Sequence, residues 1–135
     1  MDQQYFKEYY HLERVNWWFT VRRKILRERI CRFLGNPSGI QSLNIGAATG
    51  TTSEMLEEFG TVMSVEYDET CCNFAKTLLK SPIIQGSITE LPFQDNQYDM
   101  VCAFDVIEHV EDHQKAVEEM WRVCKPGGHL FITVP

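Results

Sequence analysis

The chain has 135 residues, of which 44% are hydrophobic and 24% charged, a composition typical of one globular domain with a substantial core. Its net charge of −6 is uneven, because residues 1–36 carry a net +4 and residues 37–135 a net −10. The acidic body argues against a nucleic-acid partner. No apolar run reaches 18 residues and the start lacks the apolar segment of a signal peptide, so we expect no membrane partner and a cytoplasmic protein.

The five cysteines are odd in number and form no CxxC pair or Cys/His cluster with metal-ligand spacing. We therefore expect reduced, mostly structural thiols and no metal site.

Residues 11–34 carry apolar side chains at steps of mostly three and four, which predicts one helix with a cationic outer face. Gly35 and Pro37 end this helix. The stripe expected to face inward consists of Trp18, Val21, Ile25, Ile30, Phe33 and Leu34.

Short apolar runs then alternate with helical stretches, which indicates a parallel sheet covered by helices. The prediction is an α/β fold, a Rossmann-like doubly wound, mostly parallel sheet with helices on both faces, preceded by the N-terminal helix and truncated after its fifth strand. Residues 125–128 are expected to form a turn, and the fifth strand an open apolar edge. The predicted strands are 42–46, 61–66, 82–86, 98–105 and 129–135, and the predicted helices 51–59, 69–79 and 112–123. We divide the chain into a helical lead-in, 1–36, and a core, 37–135.

The turn GAATG, residues 46–50, follows the first strand, where ligands bind in such sheets. Gly46 and Gly50 let the backbone bend and approach a ligand, although a turn of small residues also serves packing alone. Glu66 ends the second strand twenty residues after Gly46, where a carboxylate accepts the hydroxyls of a ribose. The alternative for Glu66 is an acidic residue at the end of a strand that is simply exposed to solvent and binds no ligand. Tyr67 beside it would pack on a sugar or base.

Four segments together carry a family resemblance. LNIGAATG, SVEYDE, GSITELPFQDNQYDMVCAFDVIEHVED and VCKPGGHLFITVP resemble, in this order and spacing, the motifs of class I S-adenosylmethionine-dependent methyltransferases of the small-molecule, ubiquinone-biosynthesis-like group. The resemblance runs from residue 42 to residue 135. ERVNWWFTVRR also resembles the lead-in helix of many bacterial relatives.

The resemblance implies S-adenosyl-L-methionine as cofactor. Three positions depart from the family pattern: Asn44 replaces an acid, Ala48 the middle glycine, and Ser87 an adenine-contacting aspartate, which predicts weakened binding. The implied cofactor-binding residues are Asn44, Gly46, Ala47, Ala48, Gly50, Glu66, Tyr67, Ser87, Ile88, Phe104 and Asp105.

The function expected from the resemblance is methyl transfer to a small-molecule acceptor, an anionic one if the basic segment meets it. His109 is the candidate general base, with Glu108 orienting it or binding the substrate, or both residues simply open the next helix. The alternative function is that of a catalytically weak or inactive methyltransferase-like fold that serves as a binding or regulatory module.

Two expectations concern other surfaces. Trp17, Trp18 and Phe19 form either a lid over the cofactor or an apolar anchor of the helix, and Arg22 or Arg23 contacts an anionic group or stays solvated. The open fifth strand predicts a homodimer through its edge.

Overall fold

The structure is a computed structural model that describes residues 3–135; the first two residues of the predicted lead-in lie outside the described residues. None of the helices in this range is long and apolar enough to cross a membrane. The helices are α1 (Gln3–Val15), α2 (Trp17–Leu34), α3 (Thr51–Leu56), α4 (Glu69–Lys76) and α5 (His113–Val123), with 3₁₀ turns at Glu57–Phe59 and Ile107–His109. The strands are β1 (Ile40–Ile45), β2 (Gly60–Glu66), β3 (Ile83–Gln85), β4 (Tyr98–Phe104) and β5 (Cys124–Thr133).

The five strands form one parallel sheet in the order β3-β2-β1-β4-β5. Asn44 of β1 lies opposite Ser64 of β2 and Cys102 of β4, so β1 is the central strand. The strand order reverses between β1 and β4, which places a crevice at their carboxyl ends. The predicted Rossmann-like α/β fold is confirmed.

Each face of the sheet has its own apolar core. On one face, Met120 of α5 and Leu91 pack against Leu43 and Val101. On the other, α2 and α3 pack against β2 and β4, and α4 adds a smaller cluster around Ala75. Helices therefore cover both faces of the sheet, as the short apolar runs of the sequence predict.

The N-terminal helical segment is confirmed, but the prediction that residues 11–34 form one uninterrupted helix is wrong. Asn16 separates α1 from α2, and its side chain accepts a hydrogen bond from the Trp18 N–H at 3.0 Å, which is N-cap geometry. The predicted inward stripe is also wrong for most of its members, because α2 buries Leu26 and Ile30. The other side of α2 is apolar as well, and periodicity alone does not tell which of two apolar sides faces the core. The residues of the predicted stripe that are exposed are Trp18, Val21, Ile25 and Phe33.

The fifth strand is longer than predicted, because residues 125–128 belong to β5 rather than to a turn before it. Tyr98 pairs with Cys124 and Met100 with His129, so β5 bulges where the register shifts. The strand lies at the edge of the sheet, as expected.

Candidate functional site

The turn after β1 is held in a tight, partly left-handed conformation. Gly46, Ala48 and Gly50 have φ angles of 73°, 50° and 96°. The Gly46 N–H donates to the Val65 carbonyl at 2.8 Å, and the Gly50 N–H to the Ala47 carbonyl at 2.9 Å. Gly50 is the N-cap of α3. The loop therefore ends at a helix N-terminus, whose unpaired N–H groups suit an electron-rich ligand.

Gly46 has no space for a side chain. A Cβ added there would lie 2.3 Å from Cγ2 of Val106, the residue that follows Asp105 after β4. A glycine at this position lets the Val106 side chain pack directly against the backbone of the loop, beside the crevice between β1 and β4.

Glu66 lies half-buried at the end of β2, beside this loop. Its Oε2 accepts the Ala48 N–H at 2.9 Å, while the Asp68 N–H lies 3.5 Å from Oε1. Burial raises the pKa of Glu66, and the two backbone N–H groups oppose that rise. A carboxylate has about four acceptor positions, so Glu66 retains acceptor capacity for a ligand.

A cavity of about 460 Å³ opens at the carboxyl ends of β1, β2 and β3, within the size range of small-molecule sites. Five predicted site residues line it together: Gly46, Tyr67, Ser87, Ile88 and His109. Its wall also includes acidic side chains of the segment before α5, Glu111 and Asp112. A nucleoside-like group, with a flat aromatic base and a polyhydroxylated sugar, suits this mixed lining.

The Ser87 hydroxyl forms a local turn as well as lining the cavity. Its Oγ lies 2.8 Å from Thr89 Oγ1 and accepts the Thr89 N–H at 3.2 Å. The Ile88 side chain is buried in the core beneath. A ligand at this position would meet the Ser87 hydroxyl and the backbone more than the Ile88 side chain.

Three predicted site residues point their side chains into the interior. Asn44 is 1% exposed, and its Nδ2 donates to the hydroxyls of Thr52 at 2.9 Å and Ser53 at 2.8 Å. Its Oδ1 is buried without a hydrogen-bond partner. Ala47 packs under α4 and Phe104 under α2 and α3, so only the backbone of either residue is left for a ligand.

Asp105 follows β4 in the left-handed conformation, with φ of 55°. Its backbone N–H donates to the carbonyl of Thr133 at 3.0 Å, and its Oδ1 accepts the Thr133 hydroxyl at 3.0 Å. Oδ2 lies 2.9 Å from Nη2 of Arg22, on α2. The family resemblance implies that Asp105 flanks the amino group of the cofactor's methionine, but here its carboxylate is already paired with a cation of the chain itself.

Glu108 and His109 lie in the 3₁₀ turn after β4, short of α5. His109 is 80% exposed, and its Nε2 lies 3.7 Å from Oε1 of Glu108, a contact too long for a hydrogen bond. Oε2 of Glu108 is buried without a hydrogen-bond partner. The structure thus brings His109 to the cavity wall but does not orient its ring through Glu108.

Sequence reasoning missed the contact between α1 and the loop. The Thr49 hydroxyl donates to Glu13, which is 6% exposed, and Arg14 bridges the Thr49 carbonyl at 3.4 Å and Glu54 at 2.6 Å. Burial raises the pKa of Glu13, and the hydrogen bond from Thr49 and the charge of Arg14 oppose it. The helical spacing indicates that Glu13 faces inward, because it lies seven residues after the buried Phe6, on the apolar side of α1. This spacing was the signal that could have revealed the contact.

Within residues 3–135, no group of three or more His, Cys, Asp or Glu side chains is arranged to hold a metal ion. All five cysteines are unpaired, and Cys31 is the half-buried one while the rest are buried.

Comparison with known proteins places this geometry in a family. The sequence profile described as a methyltransferase domain matches residues 43–132, two thirds of the chain. The demethylmenaquinone methyltransferase of Paenarthrobacter aurescens (strain TC1) is 36% identical over 103 residues, which cover 70% of this chain and 38% of the relative. The demethylmenaquinone methyltransferase of Staphylococcus aureus (strain MRSA252) is 30% identical over 115 residues, covering 79% of this chain and 48% of the relative.

A solved structure supports the fold. A protein of Methanococcus maripaludis, provisionally described as an S-adenosyl-L-methionine-dependent methyltransferase, superposes with a TM-score of 0.84 at 21% identity, covering 97% of this chain and 63% of that one. The chain spans about half or less of the length of the curated relatives above. The family resemblance in the four motifs is confirmed, and the chain belongs to the methyltransferase domain family, whose class I members use S-adenosylmethionine as cofactor.

Proposed function

We propose that this chain binds S-adenosylmethionine at the carboxyl ends of β1 and β2 and transfers its methyl group to a small-molecule acceptor. The observation that carries the proposal is Glu66, which is hydrogen-bonded to the Ala48 N–H at the end of β2 and flanks the glycine loop. The adjoining cavity of about 460 Å³ supports it.

The cofactor, when bound, supplies a methyl group made electrophilic by its sulfonium. Glu66 would accept the ribose hydroxyls, and the Ala48 N–H holds its carboxylate in place for that task. Tyr67 and Ser87 would contact the adenosine from the cavity wall. Gly46 lets the Val106 side chain pack against the backbone of the loop at the floor of the crevice. What remains for the chain is to align the acceptor and exclude water.

For an acceptor that must lose a proton, His109 would take that proton on a ring nitrogen, since it lies on the cavity wall. Glu108 would orient His109 only after a side-chain rotation, because their present contact is 3.7 Å. We expect His109→Gln to lower turnover while leaving the cofactor dissociation constant within about twofold. If the His109→Gln variant turned over as fast as the parent chain, His109 would not be the general base.

Residues 1–36 would act as a cap on the core, 37–135. The contacts of Glu13 and Arg14 with the loop and of Arg22 with the end of β4 support this division. The cap brings Arg23 and Lys24 to a groove of about 300 Å³ between α2 and α3. Glu54 and Glu58 line the same groove and are ion-paired with Arg14 and Arg27. An acceptor with a carboxylate or phosphate would suit the two remaining cations, Arg23 and Lys24.

Calorimetry with S-adenosylmethionine and S-adenosylhomocysteine tests the proposal. We expect saturable 1:1 binding that Glu66→Ala weakens at least about tenfold, the loss of one or two charge-assisted hydrogen bonds. Glu118→Gln, a change of an exposed acid on α5, is the matched control and should leave the affinity unchanged. Absence of heat at millimolar ligand with a folded protein would reject the proposal.

The second candidate is a methyltransferase-like module that has lost cofactor binding and binds a partner or regulates one. The ion pair between Arg22 and Asp105 favours it, because Asp105 is then unavailable to a cationic amino group. The interior orientation of Asn44 favours it as well, since no carboxylate replaces it at this end of β1. The two candidates separate in the same titration, where the second predicts no saturable heat.

A further inference from the structure

The largest group of exposed apolar side chains close together in sequence lies at the corner between α1 and α2. We call it the corner patch, and it consists of Leu12, Val15, Trp17, Trp18, Val21 and Ile25. Trp17 and Trp18 are 71% and 58% exposed, and their rings contact each other edge to face at 6.1 Å. Contiguous exposed apolar surface of this kind marks interaction sites.

The corner patch is separate from the packing face of α2. Leu26 and Ile30 hold α2 on the sheet, whereas Trp17, Val21 and Ile25 recur at four-residue steps on its outer side. These three side chains are therefore exposed because the opposite side of α2 packs on the sheet. No described part of the chain covers the patch.

The charge around the corner patch is strongly basic. Helix α2 carries six Lys or Arg residues and a single acid, Glu28. Arg22 and Arg27 are ion-paired with Asp105 and Glu58, whereas Arg23, Lys24, Arg29 and Arg32 form no ion pair within residues 3–135. The body behind the helices carries a net −10. An anionic surface would therefore attract the corner and repel the opposite side of the molecule, which sets one orientation.

We propose that the corner patch and the basic side chains of α2 form a docking surface for an anionic lipid bilayer. Tryptophan side chains favour the boundary between headgroups and acyl chains, and helices that lie in this boundary combine Trp and aliphatic residues with Lys and Arg. This surface differs from the expectation of no membrane partner, which rested on spanning segments; a helix that lies on the bilayer needs none.

Two residues next to the corner patch contact the segments that follow β1 and β4. Arg22, one residue after Val21, reaches Asp105 at the end of β4, and Glu13, one residue after Leu12, reaches the Thr49 hydroxyl. Docking would turn the carboxyl ends of the strands toward the bilayer. The proposal does not require the proposed function, because the side chains of the corner patch line neither the cavity at the strand ends nor the groove between α2 and α3.

Vesicle sedimentation tests the proposal with the full chain. We expect the chain to bind vesicles of phosphatidylcholine and phosphatidylglycerol in equal parts. Binding to vesicles of phosphatidylcholine alone should be at least about tenfold weaker than binding to the mixed vesicles. Trp17→Ala/Trp18→Ala should lower the partition coefficient at least about tenfold. Lys24→Glu/Arg29→Glu should lower it by about fivefold per residue or more, an effect that salt screens. These side chains are exposed, so circular dichroism and the urea midpoint should stay near those of the parent.

Matched controls lie on α5, away from the corner. Trp121 is 75% exposed and Lys115 is exposed, so Trp121→Ala and Lys115→Glu should change vesicle binding less than twofold. In a Trp121→Phe background, the emission of Trp17 and Trp18 should shift to the blue on addition of anionic vesicles. The proposal is overturned if the parent chain ignores these vesicles, if the control changes reduce binding equally, or if the parent is a dimer that Trp17→Ala/Trp18→Ala dissociates.

Discussion

Replacing Gly46 by alanine tests the geometry of the crevice most sharply. At φ of 73°, alanine loses about 1–2 kcal/mol from the left-handed backbone. The new Cβ also lies 2.3 Å from Cγ2 of Val106, an overpacking that costs about 1–3 kcal/mol more. We therefore expect Gly46→Ala to lower the free energy of unfolding by about 2–5 kcal/mol, measured by urea denaturation, and to weaken cofactor binding.

A matched glycine separates the two contributions. Gly127 has φ of 81° with nothing within 4 Å of an added Cβ, so Gly127→Ala should lose the backbone contribution alone, about 1–2 kcal/mol. Adding Val106→Ala to Gly46→Ala should recover about 1 kcal/mol or more in a double-mutant cycle. Equal losses for the two glycine variants, or a cycle without coupling, would refute the reasoning that Val106 closes on the loop.

Three other predictions follow from the described contacts. Glu13 has a raised pKa, so the folded state holds a proton that the unfolded state has lost, and stability falls as pH rises from the ordinary value of 4.5 through the folded one. Urea unfolding across pH should therefore show Glu13→Gln more stable than the parent at pH 7 and equal to it at pH 4, whereas an unchanged pH profile would contradict this. Arg22→Ala frees Asp105 for a cationic ligand group, so calorimetry should show tighter binding of S-adenosylmethionine at low salt; weaker binding would mean that Arg22 itself holds the ligand. Cys31 is half-buried, while the other thiols are buried and burial raises the pKa of Cys71 to about 12, so an aromatic disulfide reagent should titrate one thiol of five rapidly, and Cys31→Ser should remove that phase.

The sheet was predictable from sequence because its signal is local. Strands β1, β2 and β4 are rich in apolar residues, and Gly50 and Asp112 stand at helix starts, so each element is specified by residues within it. The N-terminal region was less predictable. Its two apolar sides are equivalent in sequence, and only the contact of Leu26 and Ile30 with the sheet decides between them.

The sequence predicts where the site residues lie in the fold, but not which way their side chains point. Gly46, Tyr67, Ser87 and His109 meet because parallel strands end at one edge. The pairing of Arg22 with Asp105 joins residues 83 positions apart, and no local pattern specifies it. Asn44 is likewise drawn inward by the hydroxyl groups of α3, and the alternation along β1 alone does not predict those hydrogen bonds.

A homodimer through the β5 edge stays a prediction. Ile132 is 39% exposed on this edge strand, and Ile132→Lys should dissociate such a dimer in sedimentation velocity. A parent chain that sediments as a monomer at high concentration would reject the edge contact.

The central claim is that S-adenosylmethionine binds where β1, β2 and β3 end. Backbone amide chemical shifts of the ¹⁵N-labelled chain, followed during titration with S-adenosylhomocysteine, test it most directly. We predict saturable shifts concentrated at Gly46, Ala48, Tyr67 and Ser87, and none at Gly60 and Gln97, which lie at the opposite end of the sheet. An unchanged spectrum at millimolar ligand, or shifts centred on Gly60 and Gln97, would contradict the account.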